Sequence, residues 1–146
     1  MSNEELNRQF DIVHKENQQY MKIFEDYMIK EGLTKRTMRK HMYNIDMFLE
    51  CYMTYEMPYH MREGCYSVNA YFDGFITKKT SYSTMEDVKS IIATLNKFYK
   101  LMYELRYITV EDYMEYLKTV KYHKYDWEMA MYKAKIKPYL KGDWWV

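Results

Sequence analysis

The chain has 146 residues, enough for one domain but too few for two of ordinary size. With only 4 Gly and 2 Pro, turns that need a positive φ are scarce, so an all-β fold is not expected. The 22 basic and 21 acidic residues nearly cancel, and a net charge of +1 gives no global argument for binding nucleic acid or a membrane. No apolar run approaches the roughly 18 residues of a membrane span, so the sequence predicts a cytoplasmic, all-α protein.

The potentially reactive residues are scattered. Cys51 and Cys65 have no Cys or His pair nearby at metal-ligand spacing, so we expect free thiols in a reducing compartment and no metal. Carboxylate pairs such as Glu111 and Asp112 lie where helix caps explain them. We therefore expect no cofactor, no small-molecule substrate and no catalytic site.

The first third of the chain predicts two helices after a polar segment. Residues 1–15 are polar and are expected to form a short helix or to fray. Helix one is predicted from about Glu16 to Lys30, with Gly32 as a left-handed stop. Thr34 can cap helix two, predicted from about Lys35 to Met53 by apolar residues at steps of three and four.

A loop and a short helix are predicted next. Thr54 to Tyr66 contains Pro58 and Gly64 and shows no sustained period, which is typical of a connection. Ser67 can then cap a short helix. Its inward-facing residues are predicted to be Val68, Phe72, Phe75 and Ile76.

The longest apolar face comes after this short helix. Ser83 and Glu86 have the spacing of a capping box, which predicts a helix from about Thr84 to Leu105. Residues at steps of three and four predict its buried face. They are Val88, Ile91, Ile92, Leu95, Phe98, Tyr99, Met102 and Leu105.

The C-terminal part predicts two more helical stretches. Thr109 and Asp112 predict a cap for a helix that carries Tyr113, Tyr116, Leu117 and Val120. A last stretch is predicted from about Tyr125 to Ile136. The tail residues Trp144 and Trp145 could dock on the bundle, fray or anchor a partner. The predicted organisation is thus a bundle over 16–108 and a helical extension over 109–146 that packs on it.

Local charge is uneven even though the total is near zero. Residues 33–42 carry four basic and no acidic side chains, and residues 78–100 carry five basic and two acidic ones. Both ranges include a predicted helix start, where unpaired N–H groups and the helix dipole favour anions such as phosphate. An ordinary solvated helix face would explain the same clusters.

Two stretches together resemble a known domain, the N-terminal core-binding (SAM-like) domain of tyrosine recombinases and phage integrases. The residues similar to its second helix are Gly32-Leu33-Thr34-Lys35-Arg36-Thr37, His41, Ile45 and Phe48-Leu49. Those similar to its fourth helix are Ser83-Thr84, Val88-Lys89, Leu95, Phe98-Tyr99 and Tyr107-Ile108. The similarity runs from Glu16 to about Ile108, roughly two-thirds of the chain.

The resemblance implies a single-domain orthogonal bundle of four to six helices that forms half of a clamp around duplex DNA. The starts of the second and fourth helices would approach the DNA backbone. The residues nominated for DNA contact are Lys35, Arg36, Arg39, Lys40, Lys79, Ser83, Thr84 and Lys89. His41 is expected to be a half-buried packing residue, with a DNA contact as the alternative. Glu86 and Asp87 would stabilise the start of the fourth helix and repel phosphate there.

The chain also departs from the recombinase pattern. It contains no His-x-x-Arg pair and ends before a catalytic domain could fold, so no recombinase chemistry is expected. The first functional hypothesis is therefore a non-catalytic module that binds duplex DNA. The second is a helical module that binds protein or itself through its Tyr- and Met-rich surface without binding DNA.

Overall fold

A computed structural model describes residues 1–76 and 84–136 of the chain, with side chains as far as Tyr132. These residues form helices and turns without a strand, which confirms the all-α prediction for the part described. The long helices are α1 (Asn3–Lys30), α2 (Lys35–Asp46), α4 (Met85–Glu104) and α5 (Val110–Ile136), and α3 is the short helix Val68–Ala70. A 3-10 helix covers Met61–Tyr66, and π-helical turns continue α2 over Met47–Tyr52 and α3 over Tyr71–Phe75. None of the described helices is long and apolar enough to cross a membrane.

Helix α4 lies at the centre of the bundle and packs against α2 and α5. The predicted face is buried from Val88 to Met102, as its spacing of three and four residues requires. Leu105 is the exception: it lies just after the last helical residue and is 48% exposed. Placing Leu105 on the buried face was therefore wrong, because the helix ends before the turn that would carry it inward.

A close contact joins α4 to the 3-10 helix. Tyr99 is fully buried, and its hydroxyl donates a hydrogen bond to the Met61 carbonyl at 2.8 Å. Its ring lies edge-on to Phe48 and tilted against Tyr116, with ring centres 6.3 and 5.0 Å apart. Gly64 makes this packing possible, because a Cβ there would lie 2.2 Å from the Tyr99 hydroxyl. The prediction of an irregular loop over 54–66 was thus wrong for its second half.

Helix α5 starts with the predicted cap. Thr109 Oγ1 accepts from the Asp112 N–H at 3.1 Å, and Asp112 Oδ2 accepts from the Thr109 N–H at 3.0 Å. Asp112 is buried, and its other oxygen accepts from Arg62 and Tyr66. Burial alone would raise the pKa of Asp112, but the hydrogen bonds from Thr109 and Tyr66 and the charge of Arg62 hold it below 3.8. This carboxylate therefore ties the start of α5 to the 3-10 helix.

The rest of α5 differs from the prediction in its continuity. It runs from Val110 to Ile136 as one helix, where two stretches were expected. Trp127 anchors its second half by stacking on Phe72, with ring centres 4.3 Å apart, and by donating to Asn69 at 2.9 Å. Tyr116 faces the core in the first half of the helix, whereas the neighbouring Leu117 is 39% exposed.

Helix α1 is longer than predicted. It begins at Asn3, capped by Ser2, and continues without a break through the expected start at Glu16. Its polar first half is held by contacts distant in sequence, since His14 bonds to Glu50 and His60 bonds to Glu16. Gly32 adopts the predicted left-handed conformation at φ 79°. The prediction of a short N-terminal helix separate from helix one is therefore wrong.

One predicted cap differs from the structure. The Ser67 side chain does not cap α3 but donates to the Glu63 carbonyl at 3.2 Å. At α4 the described residues form a capping box between Thr84 and Asp87. Ser83, Lys79, the segment 77–83, and the tail with Trp144 and Trp145 lie outside the described residues.

Both cysteines are free thiols, as predicted. Cys65 is buried beside Asp112, and burial with this neighbouring charge raises its pKa to about 12. Cys51 is exposed, and its pKa is raised by partial burial and by Asp46 and Glu50. Since thiolate is the reactive form, neither environment activates sulfur at neutral pH.

Replacing Gly64 should be costly. We expect Gly64→Ala to lower the free energy of unfolding by about 1–3 kcal/mol or more, because the new methyl group overlaps Tyr99 and Phe48. Urea denaturation measures the change. Gly74→Ala is the matched control, since nothing lies within 4 Å of a Cβ built there and Ala is favoured over Gly in a helix by up to about 1 kcal/mol. Equal effects of the two substitutions would contradict the packing described.

Candidate nucleic-acid interface

The start of α2 is a capped helix terminus with basic side chains and no carboxylate. Thr34 Oγ1 accepts a hydrogen bond from the Thr37 N–H at 3.2 Å and also bonds to the Thr37 hydroxyl at 2.9 Å. The first turn contains no acidic residue. The positive end of the helix dipole and the basic side chains therefore have the same sign here, which favours an anion at this end of α2.

The four basic residues predicted on α2 share its solvent-facing side. Lys35, Arg36, Arg39 and Lys40 are all exposed. At 100° per residue they lie opposite the face that carries His41 and Ile45 into the bundle. In the part of the chain that the structure describes, no hydrogen bond or ion pair engages the side chains of Lys35, Arg36 or Arg39.

Lys40 differs from the other three because it has an acidic neighbour. Its Nζ lies 4.0 Å from Asp87 Oδ1 in the first turn of α4. The structure thus brings the starts of the two predicted contact regions together, but through an ion pair and not as a continuous basic surface. At this distance and exposure the pair contributes little to stability, while it lowers the positive charge that Lys40 presents.

The start of α4 is mixed in charge. Thr84 is the N-cap residue, and its side chain and backbone both bond to Asp87, at 3.0 and 3.3 Å. Glu86 and Lys89 are exposed on the first turns. Of the residues predicted here, the structure therefore places Thr84 and Lys89, with two carboxylates between them.

A buried polar seam fixes α2 against α4. Asn44 donates to Ser90 at 3.1 Å and to Thr94 at 3.0 Å, and His41 Nδ1 lies 2.6 Å from the Thr94 hydroxyl. His41 is only 9% exposed, so it is a packing residue that is more deeply buried than the half-buried position predicted. Burial, together with the positive charge of Lys97, lowers its pKa below 6.5. The seam positions the basic start of α2 relative to α4 without itself reaching solvent.

Sequence reasoning missed Asp87 and Lys97 as neighbours of α2. Asp87 lies three residues after Thr84, just as Glu86 lies three residues after Ser83. Considering Thr84 as well as Ser83 as the N-cap residue would therefore have predicted the observed capping box. The packing of α2 against α4 brings Asp87 close to Lys40 and Lys97 close to His41. Neither contact leaves a pattern in the local sequence.

In comparisons with known proteins, no family model, curated protein or solved structure matches the chain. The described residues also contain no group of three or more His, Cys, Asp or Glu side chains placed to hold a metal ion. The geometry of the surface is therefore the basis for a functional proposal.

Acidification should destabilise the fold through His41. The pKa of His41 in the folded chain is below 6.5, so on acidification the unfolded chain takes up a proton before the folded chain does. The free energy of unfolding therefore decreases as the pH falls from about 6.5 toward the folded-state pKa. We expect urea denaturation to give a smaller free energy of unfolding at about pH 5.5 than at about pH 7.5.

His41→Gln is the control, because its amide does not titrate and still offers a hydrogen-bonding group to Thr94. The variant should lose less stability than the natural protein over the same pH interval. Coincident losses would show that other groups cause the pH dependence.

Proposed function

We propose that the protein is a non-catalytic DNA-binding module of the integrase core-binding type, which contacts the phosphates of duplex DNA through the start of α2. The observation that supports this most directly is the exposure of Lys35, Arg36 and Arg39 on one side of a helix start that lacks carboxylates. The all-helical architecture is compatible with the bundle that the sequence resemblance implies.

The chemistry suits phosphate more than base recognition. Lys and Arg at a helix N-terminus add their charge to the field of the helix and neutralise phosphates by displacing counterions. Such contacts position a protein on DNA without reading its sequence. We therefore propose binding of low sequence specificity, with a dissociation constant of about 10⁻⁶ to 10⁻⁴ M at physiological salt.

Helix α4 plays the smaller part in this proposal. Lys89 and Thr84 would lie at the edge of the contact, with Lys79 and Ser83 nominated by the resemblance alone. Asp87 would oppose binding, since it lies near Lys40 and would repel an incoming phosphate. Asp87→Asn should therefore tighten DNA binding while its amide oxygen still accepts from the Thr84 N–H.

The decisive experiment is charge reversal on α2. If about four phosphates are neutralised, the logarithm of the association constant should fall with the logarithm of salt concentration at a slope of roughly −4. Arg36→Glu/Arg39→Glu should abolish binding to a duplex oligonucleotide in fluorescence anisotropy at low salt. A natural protein that does not bind duplex DNA at low salt would refute the proposal.

A matched control separates the site from the total charge. Lys15→Glu/Lys124→Glu makes the same change in net charge at exposed lysines on α1 and α5. Lys15 lies about 22 Å before the end of α1 at the helical rise. This control should bind DNA within about twofold to threefold of the natural protein, because the effect of distant charges is screened. Equal loss in both double variants would assign binding to net charge and not to α2.

A second function, self-association through α5, is favoured by one observation. Met114 and Leu117 are exposed one turn apart and are continued along the same side of the helix by Val110 and Tyr125. Met114 and Leu117 line a shallow groove of about 600 Å³. Glu111 and Glu115 lie toward one end of the groove, and Lys118 and Lys121 toward the other. An antiparallel second copy would therefore place opposite charges face to face, so we propose this chain itself as the occupant.

Charge exchange tests this dimer. Lys118→Glu/Lys121→Glu should weaken self-association in sedimentation equilibrium, and adding Glu111→Lys/Glu115→Lys should restore it, because the exchanged ends again pair in an antiparallel arrangement. Leu117→Glu should abolish association, whereas Leu105→Glu, at a leucine after α4 that is 48% exposed against 39% for Leu117, should leave it unchanged. A protein that stays monomeric at millimolar concentration would remove this function.

A further inference from the structure

A second surface, separate from the basic start of α2, contains an aromatic cleft. The cleft lies where the π-helical end of α2 approaches the π-helical turn after α3, and its volume is about 270 Å³. Four of its lining residues are aromatic: Tyr52, Tyr55, Tyr59 and Phe75. Rings concentrated around a small concave space offer a ligand several aromatic contacts at once.

The rings meet at steep angles. The ring centres of Phe75 and Tyr52 are 5.2 Å apart, and the two ring planes make an angle of 62°. The ring centres of Phe75 and Tyr55 are 5.7 Å apart, at an angle of 76°. Rings that form a compact core also pack edge to face, but here Tyr55 and Tyr59 remain 56% and 51% exposed. The walls are therefore aromatic surfaces that solvent, or a ligand, can reach.

The walls are held in place by hydrogen bonds between residues of the lining. The Tyr52 hydroxyl donates to the Ser67 carbonyl at 3.0 Å, which anchors the ring to the start of α3. The Tyr59 N–H donates to the Met53 carbonyl at 3.2 Å, which folds the loop back over the end of α2. Little ordering would be required on binding, and preorganisation of this kind favours affinity.

The lining of the cleft contains one charged residue, which is acidic. Glu56 lines it and is exposed. Residues 43–77 carry five acidic side chains and a single basic one, Arg62. Arg62 is paired with Asp112 at 2.8 Å, so its charge is partly compensated. The local field therefore favours a cation, in contrast to the start of α2.

We propose that this cleft binds a methylated ammonium group. The faces of aromatic rings attract cations, and each such contact changes affinity by a factor of about two to about thirty, depending on how far the site excludes water. A methylated ammonium fits better than a bare one, because its methyl groups contact the rings while its charge costs less to remove from water. Glu56 supplies the opposite charge at the edge of the cleft. The ligand is either a free quaternary amine or a trimethylated lysine side chain.

The neutral analogue of choline provides the sharpest test. Choline and 3,3-dimethylbutan-1-ol have the same shape, but only choline is charged. In a titration followed by amide chemical shifts, choline should bind the full-length protein at least about threefold more tightly than the alcohol, with shifts at Tyr52, Tyr55 and Phe75. Equal binding of the two, or no binding of choline at millimolar concentration, would overturn the proposal.

Variants assign the binding to the cleft. Tyr55→Leu should weaken choline binding by at least about twofold, since it replaces an exposed ring by an apolar side chain. Glu56→Gln should weaken choline but not the neutral alcohol. Tyr122→Leu removes a 70% exposed ring from α5 and should change neither affinity. Unchanged choline affinity in Tyr55→Leu and Glu56→Gln, with native circular dichroism, would place the binding elsewhere and refute the assignment.

The two sources of the cation are separated by a further titration. A peptide with trimethyllysine should bind more tightly than the same peptide with lysine, and should compete with choline, if the natural ligand is a modified protein. If choline binds and neither peptide competes, the cleft takes a free quaternary amine. Both outcomes support a methylammonium site, whereas tighter binding of the unmodified lysine peptide would contradict it.

Discussion

The contact between Tyr99 and the 3-10 helix is the interaction on which the rest of the bundle depends. The Tyr99 hydroxyl bonds to the Met61 carbonyl, and its ring touches Phe48 after α2 and Tyr116 on α5. One side chain of α4 thereby joins three other parts of the chain. Leaving the buried Tyr99 hydroxyl without an acceptor would reduce the stability of the fold by about 1–3 kcal/mol. The 3-10 helix therefore lies close to α4, and only a glycine fits at position 64. The aromatic cleft and the basic start of α2 both occupy elements that this contact holds in place.

Much of the fold could be predicted from local patterns. The buried face of α4, the left-handed Gly32 and the cap formed by Thr109 and Asp112 each follow from spacing or residue type within a single element. The errors have a common physical cause. Helix α1 continues through Glu16, where its polar half meets distant partners, and the 3-10 helix is ordered by Tyr99, more than 30 positions away. Where order comes from another element, the local sequence carries no sign of it.

The candidate sites likewise combine features that the local sequence predicts with features that depend on the packing of distant elements. Exposure of Lys35, Arg36 and Arg39 follows from helical periodicity, because the core residues of α2 occupy the opposite side. The ion pair between Lys40 and Asp87 depends on how two helices pack, and so does the aromatic cleft, whose rings come from residues up to 23 positions apart. The two surfaces also have opposite charge, although the total of +1 conceals this. A chain with almost no net charge can therefore carry a positively charged and a negatively charged face on one domain.

The π-helical turns over Met47–Tyr52 and Tyr71–Phe75 determine how these segments respond to a change of length. A π turn closes its hydrogen bond over five residues in place of four, so it holds one residue more than an α turn. Removing that residue would restore a regular α-helix, while the chain on either side of the turn would keep its orientation. Removing one residue from a regular stretch such as the middle of α4 would instead rotate everything after it by about 100°. The segments that carry Tyr52 and Phe75 therefore tolerate a deletion that the central helix does not.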